Sequence, residues 1–188
     1  MRLGAARPTE QLLAFLIAQA PAWIQAERSA HRPTARRLTT GEIDAFRAFI
    51  PLAVLAKVRL AAVPVIQNPP FYADLEDVGI QIPLDFRRMT GITFIDTILI
   101  SDAAPVPPTE WLPLLFHELV HVLQYEELGL NRFVQLYVNG WAEGGFRYED
   151  IPLERDAYEL DAKFRSAPAQ PFDTLATVRN QLSGYGIA

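Results

Sequence analysis

The stretch Trp111-Leu112-Pro113-Leu114-Leu115-Phe116-His117-Glu118-Leu119-Val120-His121-Val122-Leu123-Gln124 reads as a helix carrying two histidines and a glutamate among apolar neighbours. Spacing decides its chemistry. His117 and His121 are four residues apart, so their side chains leave one helix face a turn apart. Two imidazoles placed this way can converge on one metal ion at about 2.0–2.1 Å from each. Glu118 lies about 100° around the helix from His117, close enough to act on a metal-bound water without being a ligand. Leu114, Leu115, Phe116, Leu119, Val120, Val122 and Leu123 surround these three groups with core contacts, and burying the three without a metal would be costly. The competing reading is a chance His-Glu-x-x-His whose histidines are satisfied within a core. The strongly apolar setting, and the use of two of the chain's three histidines, favour the metal.

A catalytic zinc site usually has three protein ligands and keeps its fourth position open. The chain has no cysteine, which removes disulfides, thiolate ligands and a cysteine nucleophile together. Positions 124 and 127 are Gln124 and Glu127, so the metzincin pattern, with a third histidine six residues after the second, is excluded. His31 belongs to the basic run Arg28, His31, Arg32, Arg36, Arg37, which reads as a solvated linker, and it is not the expected ligand. The better source is Pro152-Leu153-Glu154-Arg155-Asp156-Ala157-Tyr158-Glu159-Leu160-Asp161. Glu154 falls in the first turn of a helix opened by Pro152, and small Ala157, on its face, permits close approach to the histidine helix. Asp161, on the same side, is a candidate acceptor for orienting a histidine. The plainer role for Glu154 is a favourable charge at a helix N-terminus. The expected site is Zn2+ on His117, His121 and Glu154, with Glu118 as the catalytic group.

Working outward, residues 9–28 read as a helix with Thr9 as a cap, and Thr39 with Glu42 has capping-box spacing for a second helix near Thr40. Pro51 interrupts that helix, and Val58–Ile66 turns extended and apolar. Residues 91–101 suggest one bulged strand or a tight hairpin of 91–94 with 98–101. The motif helix starts near Trp111 and stops at Gly129; Asn131 caps the next, which runs to about Glu143. Pro152 opens a helix to about Ser166, and Asp173 starts the last. Phe133, Tyr137 and Trp141 have helical spacing and read as core. The expectation is one α+β domain over residues 1–188, mostly helical, zincin-like, with a small antiparallel sheet packed on the active-site helix.

Composition bounds the function. A net charge of −5 argues against nucleic acid as a main partner. No apolar stretch approaches the roughly 20 residues of a membrane span. Leu12–Ala18 with Ala18-Gln19-Ala20 resembles a weak signal peptide, but Glu10 and Gln11 precede it and Trp23, Ile24 and Ala26 continue its pattern. An ordinary buried helix and a cytoplasmic protein are expected, with secretion left open.

His117 to Gln124, followed by a separate helix bearing Glu154-x-x-Ala157-Tyr158, resembles gluzincin-type zinc metallopeptidases. The chain is most similar to the small, little-characterised domains of that kind whose active helix reads His-Glu-x-x-His-Val-x-Gln. Met89-Thr90-Gly91-Ile92-Thr93 and Ile98-Leu99-Ile100 resemble the strand region ahead of that helix, so the resemblance covers about residues 85–165. It implies zinc on His117, His121 and Glu154 and a general base at Glu118; the Asn-Glu-x-x-x-Asp ligand motif of the larger gluzincins is absent. The expected activity is hydrolysis of peptide bonds by zinc-activated water. Tyr148, Tyr158, Arg147 and Arg155 are the candidates for stabilising the oxyanion, and 98–101, as an edge strand, is where a peptide or protein substrate would pair. The alternatives are a catalytically silent zinc-binding interaction or regulatory domain, for which Glu118 has no use, and a protein that binds no metal.

Overall fold

A computed structural model describes residues 8–186. Helix α1 spans Pro8–His31 and contains the signal-like run, with Leu16, Trp23 and Ile24 buried; Thr9 lies inside it rather than at its cap. Helix α2, Thr40–Phe46, begins with the expected reciprocal cap. Thr39 Oγ1 accepts from the Glu42 N–H at 3.2 Å and Glu42 Oε2 accepts from the Thr39 N–H at 2.7 Å. Arg36 grips the same carboxylate with two bonds of 2.8 Å, and Trp111 donates to it from the start of the motif helix. A local cap therefore also anchors a distant element. The remaining elements are α3 (Leu52–Lys57), β1 (Arg59–Val63), α4 (Phe71–Asp77), β2 (Gly91–Phe94), β3 (Thr97–Ser101), α5 (Trp111–Glu143), α6 (Pro152–Ser166) and α7 (Thr174–Ser183). The protein is α+β and mostly helical.

The sheet corrects two expectations. It is mixed rather than antiparallel: in the order β1-β3-β2, β1 runs parallel to β3 and β2 antiparallel to it. Residues 97–101 form its central strand and not an edge, which explains why all five are buried. The edge beside the motif helix is β2. The hairpin is the tight alternative, turned at Ile95 and Asp96. Ile95 has φ of 64°, unfavourable for a β-branched residue by about 1–3 kcal/mol. Arg28 clamps Asp96 at 2.6 and 2.9 Å, and Arg32 reaches it at 2.9 Å. Part of the basic run is thus a structural clamp holding a strained turn.

Helix α5 is broken where Gly129 adopts φ 70°, ψ 163°. The ring contacts show how far the chain turns there. Eight residues of straight helix advance about 12 Å, yet the Tyr125 and Phe133 rings stack with centroids 3.7 Å apart. The second half of α5 therefore folds back over the first and returns Phe133 and Tyr137 to the motif helix. On the other side α6 packs against α5 through fully buried Ala157 and the stacked Phe116–Phe164 pair, 4.5 Å between centroids. Among the described residues no helix is long and apolar enough to cross a membrane.

Candidate metal centre

Helix periodicity places His117 and His121 together, and the contact between α5 and α6 brings Glu154 to them. His117 Nε2 and His121 Nε2 are 3.1 Å apart, and each lies 3.3 Å from Glu154 Oε2. All three residues are buried, and they form a group able to hold a metal ion. His31 is elsewhere, in the last turn of α1 beside Glu27.

The orientation of His121 follows from its outer contact. Gln124 is fully buried and its Nε2 donates to the Leu153 carbonyl at 2.9 Å. That carbonyl can only accept, so the amide nitrogen must face it and the amide oxygen must face His121. His121 Nδ1, 2.8 Å from Gln124 Oε1, then carries the hydrogen, and the Nε2 lone pair points at Glu154. His117 Nδ1 has no partner among the described residues and is free to hold that ring's hydrogen; with it there, two imidazole lone pairs and a carboxylate oxygen converge. Glu154 Oε2 accordingly has no hydrogen-bond donor among the described residues. Burial alone makes His121 less basic, but Glu154 outweighs it and pushes the imidazole up to about 9. Burial likewise opposes ionisation of Glu154, and the two imidazoles overcome that opposition and hold the carboxyl well below the usual range. A cation serves the cluster better than one shared proton, because it satisfies three electron pairs at once.

Distances test the fit. In a regular tetrahedron the centre lies about 0.61 of an edge from each vertex, so the 3.1–3.3 Å edges observed place an ion about 1.9–2.0 Å from its ligands. First-row divalent ions have such bond lengths to nitrogen and oxygen. The free oxygen of Glu154 is also accounted for: Tyr137 donates to Oε1 at 2.8 Å. Burial and then the Glu154 charge push the Tyr137 hydroxyl well above its ordinary pKa, so it stays a donor.

Glu118 stands beside the three donors without joining them. Its Oε2 accepts from Thr93 Oγ1 at 2.7 Å, and the same hydroxyl reaches the Glu118 carbonyl at 3.1 Å. On the other side, β2 passes so close that a Cβ at Gly91 would lie 2.6 Å from Oε1. The edge strand thus both holds the carboxylate and leaves it room. Burial pushes the Glu118 carboxyl up, offset only in part by His117, His121 and the Thr93 hydroxyl.

Two cavities meet at this carboxylate. A cleft of about 570 Å³ reaches His117, Tyr158, Asp161 and Arg165; a smaller chamber of about 110 Å³ reaches His121 and Glu154. Glu118, Gly91 and Tyr148 line both.

Among the other candidates, Asp161 does not orient a histidine: its Oδ2 accepts from Arg165 at 2.7 Å and its Oδ1 has no partner among the described residues. Gln124 holds the orienting position, on His121, that was expected of Asp161. Tyr158 lies over His117, ring centres 4.5 Å apart, half exposed. Arg147 is exposed and tied to Glu149 and Asp150, and Arg155 is exposed. Of the four candidate oxyanion donors, Tyr148 alone borders both cavities beside Glu118. Gln124, Tyr137 and Thr93 are the contributors that the sequence did not single out. For Gln124 a signal existed, since three residues past His121 it shares that residue's face.

No family model matches the chain, and neither a curated protein nor a solved structure does so.

Proposed function

We propose that the protein is a zinc-dependent hydrolase, a metallopeptidase with a zincin-like fold in which Glu118 is the general base. The observation that carries this reading is one arrangement: three buried donors at tetrahedral spacing, with a fourth ionisable group held next to them but not among them. A structural site would have no use for that fourth group. Two histidines and a glutamate, with no thiolate and one position left over, form a donor set characteristic of catalytic zinc. Zinc held there supplies Lewis acidity, lowering the pKa of a water toward about 7.

The chain's own residues supply the rest. Glu118, with Oε2 fixed by Thr93, takes a proton from the attacking water and delivers it to the leaving amine as the C–N bond breaks. Its raised pKa suits both halves of that exchange. Tyr148, its hydroxyl kept protonated by burial and then by the Glu154 charge, donates to the developing oxyanion. A peptide has a place to lie. The Ser101 N–H donates to the Thr90 carbonyl at 2.9 Å, so in the antiparallel ladder the main-chain groups of Gly91 and Thr93 point away from β3. An extended backbone pairing with that edge would run past Glu118.

Glu118→Gln tests the assignment. The variant should retain zinc and lose hydrolysis of a mixed peptide library. Equal turnover by the variant would remove Glu118 as the base, and zinc uptake without turnover by the wild type would leave a zinc-binding interaction domain.

A further inference from the structure

The chamber on the His121 side differs from the polar cleft in composition and in provenance. Its walls include widely separated parts of the chain: Ala20 and Trp23 on α1, Phe86 between β1 and β2, and Phe133 and Val138 on the refolded half of α5. It is walled largely by aromatic and aliphatic groups, yet it opens on Glu118, His121 and Glu154. Its size, about 110 Å³, is of the order of an apolar cavity of about 150 Å³ that admits benzene. Trp23 Nε1, buried in that wall, has no hydrogen-bond partner among the described residues. Gly91 keeps the doorway clear, since any larger residue there would meet Glu118.

We propose that this chamber sets substrate specificity, taking one aromatic or branched aliphatic side chain beside the bond to be hydrolysed. The inference rests on the metallopeptidase reading above and narrows its substrate to peptides with a bulky apolar residue at the cut. The division of the site explains the choice. The larger cleft, bordered by Arg88, Glu110, Asp161 and Arg165, suits the solvated main chain and polar side chains, while the chamber can gain affinity only by burying apolar surface. Helix α1 thereby becomes part of the substrate site, forming its ceiling.

Two metal-directed probes test this on the zinc-loaded full chain by calorimetry: acetohydroxamic acid, and a hydroxamate carrying a benzyl group next to its carbonyl. Zinc stoichiometry is measured on every sample. The expected result is at least tenfold tighter binding of the benzyl compound by the wild type, with the preference falling to about unity in Ala20→Trp and in Val138→Phe, either of which fills the chamber; whichever variant folds decides. Equal affinity of the zinc-loaded wild type for both probes would overturn the chamber's role while leaving the metal centre intact. An undiminished preference in the filled variants would overturn it as well. Failure to take up zinc would instead overturn the reading on which the inference rests.

Discussion

Replacing Gln124 with leucine, similar in volume but without the amide, should uncouple the metal centre from α6. The side chain is fully buried and makes two hydrogen bonds, 2.8 Å to His121 Nδ1 and 2.9 Å to the Leu153 carbonyl. Leucine leaves both partners unsatisfied, at about 1–3 kcal/mol each, so the metal-free protein should lose about 2–6 kcal/mol of stability. His121 also loses the acceptor that fixes its ring and tautomer, and zinc affinity should fall about 10–100-fold. Urea unfolding of the metal-free protein gives the first quantity, and competition with a chelating dye gives the second. Gln124→Glu separates the two bonds. It keeps an acceptor for His121 and loses only the donor to Leu153, so it should be destabilised yet bind zinc more tightly than the leucine variant. Zinc affinity of Gln124→Leu within twofold of wild type, with stability lost as expected, would refute the orienting role and leave Gln124 as a core bridge.

Gly91→Ala places a methyl against Glu118 Oε1, at 2.6 Å before any relaxation, and should reduce kcat by at least about tenfold with zinc content unchanged, read from turnover and metal analysis. Acid stability should depend on Glu42. Burial raises its carboxyl, but Arg36 and the Thr39 N–H outweigh burial and hold it at about 2, below the ordinary 4.5. A depressed folded-state pKa contributes stability that is present above about 4.5 and lost as pH falls toward about 2. The stability gap between wild type and Glu42→Gln, measured by unfolding at several pH values, should therefore shrink across that window.

Much of the local structure was legible because local rules determine it. The Thr39–Glu42 cap, the Pro152 start of α6, the Asp173 cap of α7 and the break at Gly129 each follow from the preference of one or two residues. The three donors were legible for a related reason: four-residue spacing fixes two of them, and a first-turn glutamate on a face with Ala157 nominates the third. Strand direction was not, because whether β1 runs parallel or antiparallel to β3 depends on the path of the chain through α4 and β2 and not on the alternation within either strand. Tyr137 was read as core from its helical spacing, and its ring does pack on Phe133. Its hydroxyl became a partner of Glu154 only because the chain folds back at Gly129. Asp161 shows the converse: periodicity placed it on a suitable face, and Arg165, four residues on, drew its carboxylate away. The chamber, made by segments more than a hundred residues apart, has no local signature at all.

The proposed chemistry depends most on the metal. Purified under non-chelating conditions, the wild-type protein should contain stoichiometric zinc, and His117→Ala and Glu154→Ala should each lose it while keeping the helical content of the fold. Wild-type protein without zinc, and unable to take it up at micromolar concentration, would contradict the assignment of His117, His121 and Glu154 as one metal centre.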